Sequence, residues 1–114
     1  MTRLDQMQHN LRKKYNIHQL RLLLLYTSIR DVEVARLDKF VFKPGFFEKL
    51  DAVVYKLHAK EEIEAIRIMF GLDGRENIPT RQQAAAEIGC DVEILRRREN
   101  RALRHLRLLY ALNK

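Results

Sequence analysis

The sequence predicts an all-α fold, a small helical bundle whose C-terminal end is a helix-turn-helix. Three observations carry that prediction. Apolar residues recur at three- and four-residue spacing along most of the chain. Four Gly and two Pro interrupt 114 residues, too few for a chain of many short strands and turns. Two segments on either side of Gly89 open on helix-start residues, Thr80 and Asp91. Hydrophobic residues make up 46% and charged residues 32%, which is too apolar for a disordered chain and enough for one modest core.

The first 30 residues read as helical. Leu4, Met7 and Leu11 keep helical spacing, and Ile17, Leu20, Leu24 and Ile29 continue it, with Asn16 as a break. Residues 30–42 suit either a helix (Val32, Val34, Leu37) or an extended piece (Phe40, Val41, Phe42). Pro44 disfavours helix at Lys43, so a boundary belongs there. It divides the chain into an N-terminal helical extension, residues 1–45, and a second unit, residues 46–114. Helical spacing resumes through Phe47, Leu50, Val54 and Leu57, and again over residues 59–70 through Ile63, Ile66 and Phe70. Thr80 and Gln83 have capping-box spacing, and Ala84, Ala85 and Ala86 favour helix. Asp91 caps a last helix running to about Tyr110, with Leu95, Ala102, Leu106 and Leu109 as its apolar stripe.

The net charge of +7 favours phosphate-rich partners, because neutralising phosphates releases counterions. The single Cys90 excludes an intrachain disulfide, which fits a reducing cytoplasm, and its place in the turn suits packing. The first ten residues do not resemble a signal peptide, and the longest apolar run, residues 22–26, is too short to span a bilayer. The expectation is a cytoplasmic protein without membrane contact. His9, His18, His58 and His105 are dispersed and form no zinc spacing with Cys90. No Gly-rich phosphate loop or paired-carboxylate pattern is present. The reading contains no enzyme, metal or cofactor.

The feature that carries function is the pair of helices around Gly89. A short Ala-rich helix, a Gly turn and a long basic helix are the parts of a helix-turn-helix, whose second helix presents its first turns to the DNA major groove. That helix holds Arg96, Arg97, Arg98, Arg101, Arg104 and Arg107, and arginine pairs bidentately with phosphate or guanine. The competing interpretation is a solvated face with salt bridges to Glu93 and Glu99.

Residues 46–108 resemble region 4 of the sigma-70 family of bacterial RNA polymerase sigma factors. The resemblance rests on Phe70-Gly71-Leu72-Asp73-Gly74, on residues 80–89, and most closely on residues 96–107, RRRENRALRHLR. It implies promoter binding through the last helix and docking on the β flap of RNA polymerase through the first helices. By position, Thr80, Arg81 and Gln82 would lie at the DNA backbone, Val92, Glu93, Arg96 and Arg97 would face the groove, and Arg101 would meet phosphate. Ile66, Phe70 and Leu72 would belong to the polymerase side. The sequence departs from the pattern where Val92 replaces a guanine-reading arginine, Arg97 a glutamine and Arg98 an apolar residue. Residues 1–45 are too short for the family's promoter-melting domain, so the expectation is not a complete sigma factor.

The reading is thus a DNA-binding transcription regulator of this type. The alternative is an interaction protein that occupies the polymerase or another sigma factor, as appropriator, co-activator or inhibitor, with little sequence-specific DNA binding. The apolar run at residues 22–25 suggests burial, either on the C-terminal half or against another transcription protein or a second copy of the chain.

Overall fold

The computed structural model describes residues 3–112 and, among them, contains helices and no strand. Helix α1 spans Arg3–Lys14 and α2 spans Ile17–Arg30. The side chains of Leu4 and Met7 lie outside the described residues. Asn16 makes the break between the two helices and starts the second. Its side chain accepts from Gln19 N at 2.9 Å, and the Gln19 side chain accepts from Asn16 N at 3.1 Å, a reciprocal cap.

The ambiguous segment is neither of its two sequence readings throughout. Residues Val34–Lys39 form a 3-10 helix that turns Leu37 into the core, and residues 40–43 are irregular. Phe42 is held by rings rather than by a strand. It meets Phe46 at 4.5 Å, Tyr26 at 6.1 Å and Tyr15 at 6.4 Å between centroids.

Helix α3, Phe46–Val54, stops three residues short of the expected Leu57. The N–H groups of Tyr55, Lys56 and Leu57 donate three residues back, so the chain tightens out of the helix while Leu57 stays buried. Helix α4, Lys60–Met69, is followed by α5, Arg81–Ile88, and α6, Val92–Leu112.

Helix α2 is the element that joins the two halves. Leu22, Leu25 and Ile29 share one core with Leu50, Val53, Val54, Leu57, Ile66, Ala102 and Leu106. On another side of the same helix, Leu23 packs with Leu11 and Leu37. That is why residues 22–25 are apolar all round: the helix is covered on two sides. The turn at Pro44 is therefore a corner within the bundle, because α2 before it shares a core with α3, α4 and α6 after it. Leu22, Leu23 and Leu25 are enclosed by the chain itself, which removes the reason for expecting them on a partner or a second copy. A further cluster joins Ala65 and Ile68 of α4, Ala84 and Ala85 of α5 and Leu95 of α6, with half-buried Cys90 against it.

Candidate nucleic-acid interface

Helices α5 and α6 are each started by a side chain. Thr80 Oγ1 accepts from Gln83 N at 3.2 Å, and Thr80 N donates to Gln83 Oε1 at 3.0 Å. Asp91 Oδ1 accepts from Glu93 N at 2.8 Å at the start of α6. Between them Gly89 takes φ +83°, a left-handed conformation that a residue with a Cβ adopts only under strain. Ala84, Ala85 and Leu95 are buried where the helices meet, and small side chains there permit close approach.

This packing leaves one surface for Thr80, Arg81 and Gln82 at the start of α5 and for Val92, Glu93, Arg96, Arg97 and Arg101 along α6, all exposed. Arg81, Glu93, Arg96 and Arg97 are paired within the chain. Arg96 donates from Nη2 and Nε to the two oxygens of Glu93, and Arg97 Nε lies 3.8 Å from Glu93 Oε1. The Arg96 hydrogen bond holds the Glu93 carboxyl below its ordinary value, and the charges of Arg96, Arg97 and Arg81 add to that. Arg96 is raised in return, chiefly by the same hydrogen bond. Arg81 reaches across to α6, where Nη2 and Nε donate to Glu99 Oε2 at 3.1 and 3.3 Å. Arg101 and Arg104, further along, form no ion pair with any described residue.

The three residues expected on a polymerase side differ in burial. Ile66 is fully buried in the main core, which leaves its side chain no surface for a partner. Phe70 and Leu72 are half-buried against the same core. Arg98, noted as a departure from the family pattern, is half-buried.

Other features were not read from the sequence. Leu108 and Leu112 are 66% and 82% exposed beside a groove lined by Leu57 and Leu109. Their four-residue spacing, off the stripe of Ala102, Leu106 and Tyr110, was the signal available. Arg75 forks between Asp73 and Glu87, with Nη2 at 2.7 Å from Asp73 Oδ2 and 2.8 Å from Glu87 Oε1. This ties the loop before α5 to α5 itself, and the Arg75 hydrogen bonds hold Asp73 below its ordinary value. His105 Nδ1 lies 2.8 Å from Oε2 of the buried Glu62. Among the described residues no group of three His, Cys, Asp or Glu side chains could hold a metal ion, and no helix is long and apolar enough to cross a membrane.

Comparison with protein-family models, with curated proteins and with solved structures finds no match to this chain.

Proposed function

We propose that the chain is a DNA-binding transcription regulator, built like region 4 of the sigma-70 family, that holds promoter duplex through α6 and docks on RNA polymerase at its β flap. The observation that carries this reading is the α5–α6 pair. Two capped helices cross on Ala84, Ala85 and Leu95, with Gly89 in the turn, and leave Arg81, Arg96, Arg97 and Arg101 exposed. That is the arrangement a helix-turn-helix uses to lay its second helix in a major groove. The resemblance of residues 96–107 to the family's recognition helix supports the same reading.

Contact with phosphate dominates in this proposal, and base reading is weak. The Val92 side chain has no hydrogen-bonding group, and Arg96 and Arg97 already share Glu93. A duplex must compete with Glu93 for both guanidinium groups.

The test is fluorescence anisotropy on duplex DNA over a salt series, with wild type and an Arg96→Ala/Arg97→Ala double variant. Wild type is expected to bind with affinity that falls steeply with salt. The variant is expected to bind more weakly, with its log–log salt slope reduced by about 1 for each phosphate contact removed. Wild type without salt-dependent duplex affinity defeats the proposal.

A second reading is an interaction protein that occupies polymerase or a sigma factor. The exposure of Leu108 and Leu112 favours it, because exposed apolar side chains side by side mark a protein contact. Under that reading a Leu108→Ser/Leu112→Ser variant loses polymerase in a pull-down, while the double arginine variant keeps it.

A further inference from the structure

Leu108 and Leu112 stand one helical turn apart on α6, and the chain leaves both uncovered, at 66% and 82% exposed. With Leu57, Ala59 and half-buried Leu109 they line a groove between α6 and the segment that joins α3 to α4. Glu62 is the one carboxylate that lines it, and His105 Nδ1 already meets that group at 2.8 Å.

The charge beside the groove has one sign. From Asn100 to Leu112, α6 carries Arg101, Arg104 and Arg107 and no Asp or Glu. Arg101 and Arg104 are exposed and form no ion pair with any described residue. They border a hollow that shares His105 and Leu108 with the groove, so the apolar and basic surfaces are continuous. Among the described residues there is no strand, so an extended peptide finds no sheet edge to pair with. A helix brings its backbone hydrogen bonds with it and needs only side-chain contacts.

We propose that this groove takes an acidic amphipathic helix of another protein, with its apolar stripe on Leu57, Leu108 and Leu112 and its carboxylates toward Arg101 and Arg104. Charge complementarity selects that partner over a second copy of the chain. A two-fold contact between copies sets the same patch against itself, arginines facing arginines, in a chain of net charge +7. The proposal rests on the second reading above, in which Leu108 and Leu112 meet a protein, and names the chemistry of that protein.

The experiment is fluorescence anisotropy of labelled synthetic peptides with the full chain. The first peptide carries leucines at three- and four-residue spacing and glutamates on its other faces. The second has the same residues in scrambled order, and the third has lysine in place of each glutamate. The striped acidic peptide is expected to bind saturably and at least about tenfold tighter than the other two. Leu108→Ser/Leu112→Ser is expected to weaken that binding by at least about tenfold, the worth of burying one leucine side chain. Both leucines are exposed, so the variant keeps the fold. Arg101→Gln/Arg104→Gln is expected to weaken the same peptide and to flatten its salt dependence. No saturable binding, equal binding of the striped and scrambled peptides, or unchanged binding by the leucine variant overturns the proposal. A free chain that is dimeric by light scattering, and monomeric as the leucine variant, gives the groove to a second copy and also overturns it. If the leucine variant loses polymerase while the peptides bind without preference, the second reading stands and this proposal falls. None of these readouts depends on DNA binding.

Discussion

Arg81, on the first turn of α5, donates through Nη2 to the carboxylate of Glu99 on α6 at 3.1 Å, and so closes the two helices on each other away from the Gly89 turn. Glu99 is buried and Arg81 is exposed, so the two partners are unequal. Arg81→Ala leaves a buried carboxylate without its donor. The expected loss is about 1 kcal/mol, toward the low end for an unsatisfied buried group because Arg81 is partly solvated. Urea unfolding checks it: the midpoint falls and the m-value stays the same.

The Glu93–Arg96 pair makes a prediction about pH. The Arg96 hydrogen bond lowers the Glu93 carboxyl from its ordinary value of 4.5. A carboxylate lowered in the folded state stabilises the fold above its unfolded value, and that contribution is lost as pH falls through the folded value. The ¹³C carboxyl titration of Glu93 is therefore expected to have its midpoint below 4.5 in wild type and to move up in Arg96→Ala. An unchanged midpoint in the variant removes the pair as the cause.

The same pair limits DNA binding under the proposed function. Glu93→Gln removes the charge that competes with phosphate for Arg96 and Arg97. Duplex affinity measured by anisotropy at low salt is expected to rise several-fold. A fall in affinity instead assigns Glu93 a favourable contact with the duplex.

Two glycines distinguish backbone strain from crowding. Gly89 has φ +83° and open space where a Cβ would stand, so Gly89→Ala is expected to cost about 1 kcal/mol from conformation alone. Gly71 has φ +69°, and a Cβ there would meet Cζ and Nε of Arg21 at 2.8 Å. Gly71→Ala adds displacement of a buried cation and is expected to cost about 2–3 kcal/mol. Thermal unfolding of the two variants side by side ranks them.

A main core shared by α2, α3, α4 and α6 predicts one unfolding transition. Leu25 is fully buried on α2 among residues of α3, α4 and α6. Leu25→Ala is expected to destabilise the entire chain by about 2–5 kcal/mol, the usual range for a large-to-small core change. A fragment of residues 46–114 is expected to unfold without cooperativity, because Leu50, Val53 and Leu106 lose their cover. A fragment with a sharp transition shows that the C-terminal part has a core of its own.

The sequence by itself determined the starts of α2, α5 and α6. Asn16 with Gln19, Thr80 with Gln83, and Asp91 act on backbone groups two or three residues away, so a local pattern contains everything they need. The exposed arginines of α6 were legible for the same reason, since helical periodicity assigns each residue to a face. Where a helix gives way to tighter turns, as after Val54, was not legible, because the switch depends on what Leu57 packs against. Only the tertiary structure decided that α2 belongs inside the bundle, that Ile66 has no free surface, and that Arg21 sits buried beneath Gly71. These are contacts between residues far apart in the chain. Periodicity says that a face is apolar but not which other face covers it, and long-range packing settles that choice.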